Sequence, residues 1–275
     1  MSKTTPIRGK NAIDEIAFVI LFEKELDDKT LLKLAALEEE LSADLPNFEA
    51  FNVVQMVLDP KNLRTPVSKP GGVVCSKKVD AESLRMEWSV RVEANNIIVA
   101  CSEYTNWEEV WTKAKGFLFA ALDKFNIQEN PIIEIVLQCV DKFTFDEDIR
   151  EYQIGEVFHL ESNYLTRNIT TNSPNAWHIH QGWFEFSDNK TRALHNLNLN
   201  AHKQNKNKPH ETVISHLVKT RMTDGSPIND KIILYGNRKD TGYLEDVMTA
   251  AHESNKKVLL NLLNDDMLNA IGLKG

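Results

Sequence analysis

Cysteine is scarce in this 275-residue chain: Cys75, Cys101 and Cys139 are widely spaced, and no C-x-x-C pair occurs. Three isolated thiols build neither a disulfide framework nor a thiolate zinc site, so a reducing, cytosolic location is expected. Cys101 and Cys139 lie in apolar runs, where cysteine acts as a small hydrophobe. Long hydrophobic runs are missing too. Ile16 to Phe22 falls far short of the ~20 residues a membrane span needs, and the opening MSKTTPIRGKNAIDE has no apolar stretch of leader type. No membrane association is expected. Eleven Gly and nine Pro are too few for a low-complexity linker. Catalytic signatures are also absent: there is no G-x-x-x-x-G-K-[ST], no G-x-G-x-x-G after a strand, no G-x-S-x-G and no H-E-x-x-H.

What is present is ordinary globular chemistry, 42% hydrophobic and 26% charged, with a net charge of -8 that disfavours indiscriminate polyanion binding. Ile13 to Phe22 reads as a buried strand, and Leu31, Leu34, Leu37, Leu41 and Leu45 give a helix over 30–45 that Pro46 stops. A second strand is expected at 51–58, then an exposed loop over 59–72, rich in Pro and Gly. Leu84, Met86, Trp88, Val90 and Val92 alternate with polar residues, the pattern of a half-buried strand. Asn95-Asn96 suits a hairpin turn into a partner strand over 97–104. Thr105 or Asn106 then caps a helix running to about Phe125 that buries Trp111, Ala114, Leu118 and Ala121. Pro131 to Val140 is another apolar strand.

After residue 145 the pattern changes. A short helix is expected around Phe158, a loop over 168–175, strands at 177–186, 193–201 and 211–222, a fourth short strand at 232–235, and an amphipathic helix over 244–263. Hairpins outnumber β-α-β units. The expected fold is therefore α+β, with two sub-domains, 1–145 and 146–275, each a mainly antiparallel sheet with a long helix on one face.

Several segments, IDEIAFVILF, WSVRVEANNIIVACSEYTNWEEVWTKAKGFLFAALDKF and PIIEIVLQCVDKFTF, carry a hairpin ending in Tyr104, then Trp107 opening a helix, then a hydrophobic mid-chain strand. In these features the chain resembles a sporadically distributed family of uncharacterised bacterial proteins of about this length. The closing helix, with a His about halfway along, is similar in placement. The resemblance implies no established activity. Patchy distribution is the habit of accessory genes, such as defence or toxin–antitoxin components.

Two groups of residues carry the functional expectations. All eight histidines lie between His159 and His252. His178 and His180 form an H-x-H on one expected strand, with His195 or His202 and His210 or His216 on the next two. Three strands meeting on one face would set His178, His180, His195 and His216 as candidate zinc ligands, the basis for a metal-dependent enzyme. Against that stands an Asn/His-rich sheet whose imidazoles are simply polar surface. The stretch from Lys190 to Arg221 holds seven basic residues (Lys190, Arg192, Lys203, Lys206, Lys208, Lys219, Arg221) and one acid, Glu211. It is a candidate surface for a protein partner, a second copy of the chain, or nucleic acid. Trp177 and Trp183 share a strand face, with Phe184 on the other, and all three are expected in the core. The favoured expectation is a non-catalytic cytosolic interaction or regulatory protein without a cofactor; nucleic-acid binding and a His-based metalloenzyme are the alternatives.

Overall fold

A computed structural model of the chain describes residues 3–55, 58–59, 62–63, 67–80, 82, 84–172, 174–187, 190–203, 209–228 and 242–274. The first half holds β1 (Thr4–Pro6), β2 (Ile13–Phe22), α1 (Asp28–Leu34), α2 (Leu37–Leu41), β3 (Asn47–Gln55), β4 (Leu58–Asp59), β5 (Asn62–Leu63), β6 (Val67–Lys78), β7 (Met86–Glu93), β8 (Asn96–Cys101) and α3 (Trp107–Leu122). β9 (Ile132–Phe145) leads into the second half, with α4 (Arg167–Asn172), β10 (Trp177–Ser187), β11 (Thr191–Lys203), β12 (His210–Met222), α5 (Gly242–Leu262) and α6 (Asp265–Ala270). The fold is mixed helix and strand. β4 and β5 form a two-residue ribbon; the other strands make one antiparallel sheet in the order β10-β11-β12-β9-β2-β8-β7-β6-β3, with β1 extending the β2 edge of β9.

Period-2 patterning decides which side of this sheet is dry. Ile16, Phe18 and Ile20 of β2, Val90 and Val92 of β7, Leu137 and Cys139 of β9, Leu197 and Leu199 of β11, and Ile214 of β12 are buried on one face. α3 and α5 pack there, through Val110, Trp111, Ala114, Leu118 and through Met248, Ala251, Leu259, Leu262. Register is fixed strongly by β11. A slip of one residue would bury Asn196, Asn198 and Asn200 instead of Leu197, Leu199 and Ala201, exchanging roughly 1.5–3 kcal/mol per buried Leu for desolvated amides. Among the described residues, every helix contributing to the apolar core lies on that face; on the opposite face Ala17, Glu134 and Val136 are buried, and most side chains of β11 and β12 are half-buried.

The expected division near residue 146 falls just past β9, the strand that both halves pair with: β2 on one edge and β12 on the other. The apolar clusters also cross it. Phe18 and Trp111 belong with Val218, Leu244 and Met248, while Ala12 and Phe143 belong with Leu197 and Leu262.

Five local expectations need correction. The helix over 30–45 is two short helices, interrupted where Ala36 and Glu38 donate to Lys33 and Ala35 in tighter i→i-3 bonds. Within the loop expected over 59–72 lie Asp59 of β4, the whole of β5 and the start of β6, which carries Pro70-Gly71-Gly72 inside a strand. An irregularity opposite Phe51 and Asn52 accommodates the missing proline donor, and Gly72 takes φ 150°. In the β7–β8 turn the left-handed residue is Ala94 (φ 49°), not an asparagine. The loop over 168–175 begins as α4, and Leu84 lies outside β7, exposed. The strand expected at 232–235 lies outside the described residues. Asn106 caps α3 as expected, accepting from the Glu109 amide at 3.0 Å.

Candidate nucleic-acid interface

β10 is the edge strand of the sheet, and its even-numbered residues point away from the helices: His178, His180, Gly182, Phe184 and Phe186. Its odd residues Trp177 and Ile179 are buried, and Trp183 is half-buried, on the helix side. Phe184 is 52% and Phe186 69% exposed, and among the described residues they are the exposed aromatic side chains. Their ring centroids stand 6.4 Å apart, the spacing expected of i and i+2 on one strand.

The basic residues divide by position. Arg192 faces Arg221 across the β11–β12 ladder, Lys219 lies one pleat further along, and Lys190 sits exposed in the β10–β11 turn. The Arg192 guanidinium lies over the Phe184 ring at 5.6 Å. Arg221 and Lys219 flank the buried carboxylate of Glu134 at 3.0 and 3.6 Å. The structure therefore gathers Lys190, Arg192, Lys219 and Arg221 beside Phe184 and Phe186, with Glu134 as the nearby acid on that face. Lys203 is at the far end of β11, roughly 37 Å from Arg192 at ~3.4 Å per residue. Lys206 and Lys208 lie outside the described residues.

The four candidate zinc ligands are split between the two faces. His178 and His180 are exposed on the side away from the helices, where their Nδ1 atoms bond Asn200 Oδ1 at 2.7 Å and Asn198 Oδ1. An amide oxygen only accepts, so both Nδ1 atoms carry the proton. His195 and His216 are buried on the helix side, since their strands place them on the opposite pleat. Among the described residues no group of three or more His, Cys, Asp or Glu is placed to hold a metal ion.

The inner pair forms a chain. His216 Nδ1 meets Asn255 Oδ1 of α5 at 3.0 Å, and His216 Nε2 meets His195 Nδ1 at 3.1 Å. Asn255 Oδ1 accepts, so His216 Nδ1 donates, its Nε2 accepts, and His195 Nδ1 carries the next proton. Burial pushes His216 down to about 4, aided by His195 and opposed by the Asn255 bond. His195 is also lowered by burial, opposed by Glu185, whose carboxylate lies 3.5 Å from His195 Nε2. Trp183 stacks on His195 at 4.9 Å. The chain is a neutral polar spine between sheet and helix.

Sequence reading missed Phe186 and Asn255. Phe186 has the parity of His178, His180 and Phe184, so alternation alone assigns it to the wet face. Asn255 sits one turn from Ala251 and Val258 on the apolar stripe of α5, where an amide calls for a buried partner. Comparison with protein-family models gives no match, and comparison with curated proteins gives none.

Proposed function

We propose that the protein acts by docking, without chemistry at this face, and that the face of β10–β12 away from the helices takes a single-stranded nucleic acid. The observation that supports this reading is the pairing of two exposed phenylalanines with Lys190, Arg192, Lys219 and Arg221 on one sheet face. Exposed rings stack bases of any sequence and cations track the phosphates, the two ingredients of single-strand binding. His178 and His180 continue the same row of rings, with the Asn196, Asn198 and Asn200 amides beside them to meet base edges. Residues 146–275 supply the docking half and residues 1–145 the scaffold behind it. A single-strand-capturing accessory component of the defence or toxin–antitoxin kind suits both this face and the family resemblance.

The test is fluorescence anisotropy of a labelled oligouridylate against the whole protein. Saturable binding is expected, with log K falling linearly in log salt by roughly 2–3 for three or four neutralised phosphates. Phe184→Ser with Phe186→Ser should weaken it at least tenfold, as stacking is worth about 1–3 kcal/mol per base, and leave the salt slope unchanged. Arg192→Gln should lower the slope by about 0.7. Absence of binding at low salt, or indifference to the phenylalanine substitutions, would remove the nucleic-acid reading in favour of an acidic protein partner.

A further inference from the structure

On the helix side, a pocket of about 490 Å³ opens between α5, the start of α3, the β1–β2 loop and the C-terminal tail. A few hundred cubic ångströms is the usual room for a small ligand. Asp141 of β9 is 1% and His252 of α5 is 5% exposed, both line the pocket, and Asp141 Oδ2 and His252 Nδ1 have no hydrogen-bond partner. His252 is fixed edge-on to the space because its ring lies flat on Trp107 at 4.0 Å, 3° from parallel. Arg8, in the β1–β2 loop, pairs Nη1 with Glu103 at 3.1 Å and holds Nη2 4.0 Å from Asp14, with no hydrogen bond at Nη2.

Burying such groups unpaired costs about 1–3 kcal/mol each, more when charged, and folding alone gives no return for placing Asp141 and His252 around one space. A ligand that satisfies them would. Charge selects its kind. The lining carries the cations Arg8, Lys10 and Lys256 against the single acid Asp141, with Glu103 and Asp14 behind Arg8. Lys256 also reaches Glu253 at 2.8 Å. The opposite wall, Leu259, Ile271 and Leu273, is apolar. We propose that this pocket binds a small organic anion, a carboxylate or phosphate monoester on an apolar body, with the anionic oxygens held by Arg8, Lys10 and the Asp141 hydroxyl and the body against the leucines.

The role given to Asp141 fits its surroundings. Burial pushes its carboxyl up to about 7, so near neutrality the protonated form is available to donate to an anion. The titratable and charged groups that line the pocket with it are Arg8 and Lys10 from the β1–β2 loop, Tyr104 from the segment before α3, and His252 and Lys256 from α5. His252 is held down to about 4 by burial, and Tyr104 is pushed up by burial. Asp141 is thus the lining group that changes charge between pH 6 and pH 8, and anion affinity should fall as pH rises through its value.

The experiment is calorimetric titration of the whole protein with four matched probes: phenylacetate, phenyl phosphate, phenethylamine and 2-phenylethanol. One anion at least should bind, with the amine and alcohol at least tenfold weaker; which anion is tighter identifies the headgroup. Arg8→Gln should weaken the anion at least tenfold, and Lys10→Ala, an exposed position, should weaken it severalfold with folding untouched. Asp141→Asn, whose amide donates at every pH, should keep the affinity measured at pH 6 and abolish the fall toward pH 8.5. Equal binding of all four probes, preference for the amine, or no anion binding at millimolar concentration would overturn the assignment.

Discussion

A carboxylic acid sealed inside a protein without a partner is a liability that varies with pH, and Asp141 is such a residue. Its folded value of about 7 stands above the ordinary 3.8. The folded state therefore holds the proton more tightly, and the stability associated with it is complete below about pH 4 and is lost as pH rises through about 7. Asp141→Asn should raise the melting temperature at pH 8, by an amount corresponding to on the order of 2 kcal/mol, and have little effect at pH 5; parallel melts at the two values check this, and an equal shift at both would contradict it. His216 and His252, lowered to about 4, act in the opposite sense. Their contribution is complete above about 6.5 and is lost as pH falls toward 4, in wild type and variant alike, so it cancels in the comparison. At this scale the sequence was only partly legible. Alternation set Phe184 apart from Trp177 and Trp183, but its expected place in the core was wrong, for it is exposed. The mid-chain strand expected to end at Val140 runs on through Asp141 to Phe145 because β12 and β1 pair with it there.

Elements with a clean period were readable; those with an irregularity were not. β2, β7, α3 and β10 to β12 follow their apolar spacing closely. β6 was hidden because Pro70-Gly71-Gly72 carries every mark of a turn, and only pairing with β3 and β7 reveals it as a strand. Its glycine is there for space as much as for conformation. A Cβ on Gly72 would stand 2.0 Å from the Val92 carbonyl oxygen at φ 150°. Gly72→Ala should cost more than ~3 kcal/mol or prevent folding. Gly116→Ala is its counterpart. That position is inside α3 with nothing within 4 Å of a new Cβ, so the change should stabilise by about 0.5–1 kcal/mol through helix propensity and a less free unfolded chain. Chemical denaturation of both variants decides, and a similar response from the two would refute the bulge account.

Over the whole molecule, one sheet with β9 at its centre replaces two separate layers, because an apolar strand with partners on both edges joins whatever hairpins flank it. Sequence patterning sees faces but not neighbours, so the two hairpin-plus-helix halves were legible and their fusion was not. The apolar clusters shared across residue 146 predict a single unfolding transition, with far-ultraviolet circular dichroism coincident with tryptophan emission from Trp88, Trp107, Trp111, Trp177 and Trp183. Two separated transitions would show that the halves unfold independently. The same architecture presents Phe184 and Phe186 at the sheet edge on the face away from the helices, and their occupant is the central question. Ultraviolet crosslinking of an oligouridylate to the protein, followed by mass-spectrometric mapping, addresses it most directly: the adduct should fall on the 177–192 segment at Phe184 or Phe186, and crosslinks confined to other segments, or none at all, would contradict a single-strand platform on this sheet.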